Sequence, residues 1–200
     1  MDWLTPLTGL VGVVVGAVMS YASTHQVQKR QLADARLARE EADRAAVVAA
    51  NVQALTALLG HIHKMPLDDT VAEVTSSEHD QHSNREQAWS KELLEYLEPA
   101  RVAALDVRDE HLRALLIDDL ARVHEWEWVD FGLYRQIREG LLADTVHHLI
   151  ACVFAWRRDD AEMPKPNNRY ERYKAVWEYE EERRRIELEE IEAARRRQPD

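Results

Sequence analysis

Histidine and carboxylate residues that could bind a divalent metal occur at two places in this sequence. His79 and His82 lie in an acidic stretch, and Asp144 and His147 form a D-x-x-H sequence that His148 follows directly. Imidazole and carboxylate groups are ordinary metal ligands, but a di-iron site in a helical bundle needs a Glu-x-x-His on each of two helices and two further carboxylates. The sequence contains no second spacing of this kind. These residues therefore support only an alternative prediction, in which the chain is a membrane-tethered metal-binding protein or enzyme.

Other chemistry has little support in the sequence. The single cysteine, Cys152, lies at the edge of an apolar stripe, where a small buried thiol is more common than a nucleophile. H-E-x-x-H, G-x-S-x-G, Walker A and G-x-G-x-x-G motifs do not occur. The formal net charge of −11 argues against general nucleic-acid binding. We predict no intrinsic catalysis, no cofactor, no nucleic-acid partner and no small-molecule substrate.

The segment from Trp3 to Ala22 contains 20 residues without Asp, Glu, Lys, Arg or His. A helix of that length spans about 30 Å, the thickness of the hydrocarbon core of a bilayer. Trp3 and Tyr21 lie near its two ends, where aromatic rings favour the headgroup level, and Lys29 and Arg30 follow it. We therefore predict a single-pass anchor in the cell membrane at residues 1–24, with the remainder of the chain on the cytoplasmic side.

Two further properties of this segment affect the prediction. Gly12, Gly16 and Ser20 are four residues apart, so they share a helix face that would allow close packing against another helix in lipid. The Ser20-Tyr21-Ala22 sequence resembles a signal-peptide cleavage site, although the chain begins Met1-Asp2 and lacks a positive n-region. A secreted helical protein, cleaved near residue 22, is therefore a second alternative.

The sequence DWLTPLTGLVGVVVGAVMSY, followed directly by an Arg- and Ala-rich helix, resembles the layout of uncharacterised single-pass membrane proteins of actinobacteria and their phages. The resemblance covers about the first 60 residues. It implies a membrane location and carries no known activity, so it assigns no functional residue.

The rest of the chain is rich in helix-forming residues, and we predict an all-α fold. No proline occurs between Pro6 and Pro66, so the membrane helix should continue into a stalk whose apolar residues recur at spacings of three and four, as in coiled coils and bundles. The predicted segments are a stalk at 25–65, an acidic linker at 66–84, a helical bundle at 85–158, a second linker at 159–168 and a charged C-terminal helix at 169–200.

Local signals predict where several of these helices begin and end. Ser83 and Glu86 form a capping box that predicts a helix start, and Pro99 predicts its end. Asp106 and Asp109 are predicted to cap the start of the next helix. A later helix is predicted from Phe131 to Trp156, and the C-terminal helix is predicted to begin near residue 168.

Two tryptophans lie among acids in the middle of the chain. Trp126 and Trp128 are two residues apart, so they cannot share one helix face. An outward indole beside Glu125 and Glu127 would suit a basic peptide of a partner, whereas packing between helices is the more common role. The sequence as a whole predicts a membrane-anchored helical scaffold or interaction protein that contacts the bilayer and either another protein or a second copy of itself.

Overall fold

A computed structural model describes the backbone of residues 4–66, 76–128 and 138–197, and the side chains of residues 28–66, 84–127, 138–193 and 195–196. These segments form five α-helices and a single 3-10 turn, Trp126–Trp128, and contain no strand. The all-α prediction is therefore confirmed. The helices are α1 (Leu4–Ile62), α2 (Ser76–Leu105), α3 (Glu110–His124), α4 (Arg138–Arg158) and α5 (Asn168–Arg197).

The chain divides into two compact units, Met1–Ala46 and Val47–Asp200. In the first unit the side chains described, from residue 28 onward, are exposed apart from the half-buried Arg44. The second unit contains the bundle, in which α2 packs on α3, α3 on α4 and α4 on α5. The last turns of α1 also belong to this unit, where Val48, Leu55 and Ile62 are buried in the hydrophobic core.

The helix α1 is long and apolar enough to cross a membrane, by length and composition. Among the residues whose side chains are described, the segment that meets this test is Gln28–Ile62, whose most apolar window has a mean hydropathy of 1.6 and is 33% buried. A core helix of a soluble protein passes the same test, and Leu55, Leu58 and Ile62 are indeed core residues. The span predicted at Trp3–Ala22 lies outside the residues whose side chains the structure describes.

The core of the bundle is built on apolar residues at helical spacing. Leu112, Leu116 and Leu120 follow one face of α3 and are fully buried, and burial of each such side chain contributes about 1.5–3 kcal/mol. The predicted N-cap is confirmed, because the Asp109 carboxylate accepts the backbone N–H of Leu112 at 2.8 Å. The cap and the leucines together fix where α3 begins and which face it buries.

The predicted limits of α2 are wrong at both ends. The helix begins at Ser76, inside the predicted acidic linker, and it continues through Pro99 to Leu105. A proline inside a helix costs about 3 kcal/mol, but Leu97 and Ala100 lie in the core on either side of Pro99. Burial on both sides of the proline therefore outweighs its local cost.

Two other boundaries were predicted in this region of the chain. The helix α4 is described over Arg138–Arg158, and its predicted start at Phe131 lies within residues 129–137, outside the part of the chain that the structure describes. The start of the C-terminal helix is confirmed, because α5 begins at Asn168. Residues 67–75, within the predicted acidic linker, also lie outside the described segments.

Candidate functional site

A polar cluster lies between α3, α4 and α5, where the C-terminal helix meets the bundle. Its centre is Asp119 of α3, which is 0% exposed. The carboxylate pairs with Arg122 and accepts the hydroxyl of Tyr170 of α5, at 2.9 Å to Oδ2 and 3.2 Å to Oδ1. The hydroxyl of Tyr173, three residues along α5, donates to the backbone oxygen of Arg122 at 2.6 Å. Two tyrosines of α5 are therefore hydrogen-bonded to the same part of α3.

Burial controls the protonation of this cluster. Burial raises the pKa of Asp119, and the opposing influences of the Arg122 guanidinium and the Tyr170 hydroxyl do not cancel this effect. Burial also raises the pKa of Tyr170, and the negative charge on Asp119 raises it further. The Tyr170 hydroxyl therefore keeps its proton and acts as the donor to the carboxylate.

The residues His148 and Cys152 of α4 lie beside this cluster. The Cys152 Sγ is 3.6 Å from His148 Nε2, and the His148 and Tyr170 ring centroids are 4.7 Å apart. A cysteine nucleophile reacts as the thiolate, whereas burial and the negative charge of Asp119 raise the pKa of Cys152 to about 11. Burial lowers the pKa of His148, with Asp119 opposing that shift. We therefore interpret the pair as a packing contact between two neutral groups.

The other contacts of α5 are also directional. The guanidinium carbon of Arg122 lies 5.2 Å from the ring centroid of Trp177, a cation–π contact. Arg169 pairs with Asp144 of α4 at 3.8 Å, so Asp144 of the D-x-x-H sequence contacts α5. The contacts of Arg122 with Trp177 and of Arg169 with Asp144 therefore help to set the position of α5. Two polar atoms in this region, Nε of Arg122 and Nε1 of Trp177, are buried without a hydrogen-bond partner.

The end of α1 is joined to α2 through His61. Its ring is 3% exposed and stacks on both Trp89 and Tyr96, with centroid separations of 5.2 and 4.6 Å. Its Nε2 lies 3.0 Å from the backbone oxygen of Trp89, and the indole Nε1 of Trp89 donates to the backbone oxygen of His61 at 3.0 Å. This reciprocal pair fixes the last turn of α1 against α2.

The remaining candidate metal ligands do not form a group around a common centre. His63 Nδ1 lies 2.5 Å from the Glu139 carboxylate, and the ring of His147 is 6.5 Å from that of His63. Among the side chains described, no group of three or more His, Cys, Asp or Glu residues could hold a metal ion. His79 and His82 lie outside those side chains.

The predicted partner surface is only partly accessible in this fold. Trp126 is 2% exposed and packs edge-on against Trp89, with 5.3 Å between centroids. Its indole therefore belongs to the core and is removed from that surface, while the side chain of Trp128 lies outside the description. Glu125 and Glu127 line an open groove of about 370 Å³ beside α2.

Most of the residues predicted to form or flank the membrane anchor have side chains that the structure does not describe. The side chains of Trp3, Gly12, Gly16, Ser20 and Tyr21 fall outside the described residues, whereas Lys29 and Arg30 are described and exposed. The helix-packing face and the aromatic anchors therefore remain predictions.

No family model, curated protein or solved structure matches this chain. The resemblance of the first residues to single-pass membrane proteins therefore also remains a prediction. The sequence did not reveal the cluster of Asp119 with Tyr170. The contact of His148 with Cys152 had one signal in the sequence, the i,i+4 spacing of the two residues.

Proposed function

We propose that this chain is a single-pass membrane protein whose helical bundle is an interaction module without catalysis of its own. The observation that carries the proposal is the composition of α1. This helix, Leu4–Ile62, contains the charge-free residues up to Ala22 and also supplies Val48, Leu55 and Ile62 to the core of the bundle. A folded module whose first core helix begins with 19 charge-free residues, 4–22, is suited to presentation at a bilayer.

The interaction role is supported by how the bundle uses its polar and apolar groups. The buried Asp119 and His61 make contacts between helices, which is how polar groups stabilise a fold. Large apolar side chains are exposed at the end of α2, at Val102 and Leu105, and along the second half of α5. Apolar groups outside a core are available for contact with another helix.

Membrane insertion can be tested with two matched double substitutions. In Val14→Arg/Val18→Arg, each arginine near the middle of the charge-free segment should cost about 2.5–3.5 kcal/mol of insertion free energy. In the control, Leu32→Arg/Leu37→Arg, the same charges are placed at exposed positions of α1. We expect the wild-type chain and the control to remain in the membrane pellet after alkaline carbonate extraction, and the Val14/Val18 variant to be released. Release of the wild-type chain would contradict the anchor.

Topology can be measured with single cysteines, because Cys152 is the natural cysteine of the chain and is buried. In a Cys152→Ala background, Asp2→Cys should react with a membrane-impermeant maleimide on intact cells. Glu189→Cys, at an exposed position of α5, should react only after permeabilisation. The opposite pattern would reverse the topology, and an intact mass lacking the first 22 residues would support secretion instead.

The interaction role is tested by chemical crosslinking of the full chain in its native membrane, beside a variant that lacks residues 1–24. Capture of one defined partner by both forms would assign binding to the bundle. Self-crosslinking of the full chain alone would assign it to the anchor and the first part of α1. A chain that stays monomeric and uncrosslinked in its own membrane would overturn the proposal.

A further inference from the structure

We infer that α1 binds the headgroups of anionic lipids through Lys29 and Arg30, in the turns that follow its charge-free segment. The partner is thus the surface of the bilayer, and the lipids selected are those whose headgroup carries a net negative charge. This inference rests on the proposed membrane location and adds to it the class of lipid that the chain prefers.

Charges of opposite sign are sorted along the part of α1 that follows the charge-free segment. Residues 23–39 contain four lysines and arginines and a single acid, whereas residues 40–46 contain three acids and a single arginine. All of these residues belong to one helix, so their order in the sequence is also their order along one axis. The cations are therefore the charges nearer to the predicted span.

The rise of the helix sets how far each charge lies from the end of that span. Lys29 and Arg30 lie about 11 and 12 Å beyond Ala22 along the axis, and Glu40 lies about 27 Å beyond it. The headgroup layer is about 5–8 Å thick, and the potential of a charged surface decays over about 8 Å at physiological ionic strength. Long basic side chains can also bend back toward the interface. The two cations are therefore within reach of the headgroups, whereas the acids are too distant to cancel the attraction.

The charges of Lys29 and Arg30 are not used within the fold. Both side chains are exposed, and neither forms an ion pair or a hydrogen bond with any side chain that the structure describes. The second half of α5 differs in this respect, because Arg183 pairs there with Glu180 and Glu187 of its own helix. An anionic surface can therefore bind the two cations of α1 without breaking a contact of the fold.

The expected preference follows from the number of cations at the surface. Each lysine or arginine near an anionic membrane should favour its lipids over zwitterionic ones by about fivefold, the factor that corresponds to about 1 kcal/mol. Lys29 and Arg30 are consecutive, so they point to different sides of the helix and contact different lipid molecules. The preference is therefore a property of the lipid layer around α1, with a magnitude of about fivefold.

The lipid preference is measured by electron spin resonance on the full chain reconstituted in phosphatidylcholine vesicles. Trace spin-labelled phosphatidylglycerol or phosphatidylcholine reports the fraction of lipid that the protein immobilises, and the ratio of the two association constants gives the preference. We expect a ratio of about five for the wild-type chain at low salt. The ratio should fall toward one at about 0.5 M salt, because salt screens exposed charges.

Matched double substitutions separate the position of the charges from their number. Lys29→Gln/Arg30→Gln removes the two cations nearest the span and should lower the ratio to about one. The control, Arg36→Gln/Arg39→Gln, removes the same charge at exposed positions about 11–14 Å further along α1 and should keep most of the preference. Lys29→Arg/Arg30→Lys keeps both charges and should keep the full ratio.

A ratio of one for a wild-type chain that immobilises both lipids would overturn the inference while leaving the membrane location intact. An equal loss in the test pair and the control pair would also overturn it. Displacement of spin-labelled phosphatidylglycerol by excess soluble glycerol phosphate would do the same, because it would indicate a site for a free phosphate group. A chain that immobilises neither lipid and is released by carbonate would overturn both this inference and the proposed anchor.

Discussion

Loss of the Asp119 carboxylate should destabilise the bundle through the groups that it leaves behind. The carboxylate is fully buried, pairs with Arg122 and accepts the Tyr170 hydroxyl at 2.9 Å. In Asp119→Ala, the Arg122 side chain, which is 13% exposed, keeps its charge without a counter-ion. Breaking a buried pair by removing one partner typically costs 3–5 kcal/mol, so we expect a loss of about 4 kcal/mol in the free energy of unfolding.

Removal of both charges of the pair should cost much less stability than removal of the carboxylate alone. Asp119→Leu with Arg122→Met removes both charges and fills the site with apolar atoms. Replacement of a whole buried pair by apolar residues is often neutral. The Tyr170 hydroxyl loses its acceptor, at about 1 kcal/mol, and Trp177 loses the Arg122 guanidinium, at about 1 kcal/mol. The double variant should therefore be more stable than Asp119→Ala by about 2 kcal/mol.

Urea unfolding of the full chain in detergent, followed by circular dichroism, measures these values. With a denaturant slope of about 2 kcal/mol per molar, a loss of about 4 kcal/mol moves the midpoint by about 2 M. The control is Asp118→Ala, the neighbouring exposed carboxylate, whose effect should stay within about 0.5 kcal/mol. If Asp119→Ala lost no more stability than Asp118→Ala, or if the double variant lost as much as the single one, the reasoning would be refuted.

Three further predictions concern other buried groups. Because burial raises the pKa of Cys152 to about 11, its thiol should resist iodoacetamide at pH 7.5 in the folded chain and react fully in urea. Burial lowers the pKa of His148 from its ordinary value of 6.5, so the folded state binds fewer protons than the unfolded state in this pH range. The stability of the fold should therefore fall as the pH drops from 6.5 through the folded pKa. His148→Gln should flatten that part of the plot of unfolding midpoint against pH. Asn51→Ala should cost about 1–3 kcal/mol in urea unfolding, because the Ala103 carbonyl loses the amide that donates to it at 2.8 Å, while Gln53→Ala, at an exposed position of α1, should change little.

Helical spacing and capping residues predicted much of the local structure. Val48, Leu55 and Ile62 recur at seven residues in the sequence and lie together in the core, and Asp109 caps α3 as its position predicts. Pro99 shows the limit of such local rules. Its penalty is set by its own residue and the preceding turn, whereas the burial that overrides it comes from core contacts of residues on both sides.

The polar cluster could not have been predicted from spacing. Asp119 and Tyr170 are 51 residues apart and lie on different helices, so their contact exists only once α5 has docked. By contrast, His148 and Cys152 are four residues apart on α4, and their contact at 3.6 Å follows from helix geometry. What the sequence could not supply was the burial that leaves both groups neutral, because burial depends on every helix packed around them.

The buried polar contacts in the first turns of α5 fix the register in which this helix docks, which an apolar interface would not do. Apolar side chains tolerate rotation and sliding of a helix, whereas the bond between Tyr170 and Asp119 and that between Tyr173 and the Arg122 carbonyl are satisfied in one register. A single buried polar contact is known to fix register at a cost in stability. Because each of these bonds is satisfied in one register, a rotation of α5 would leave the Asp119 carboxylate and the Arg122 carbonyl buried without their hydroxyl donors, so the cluster specifies where α5 docks.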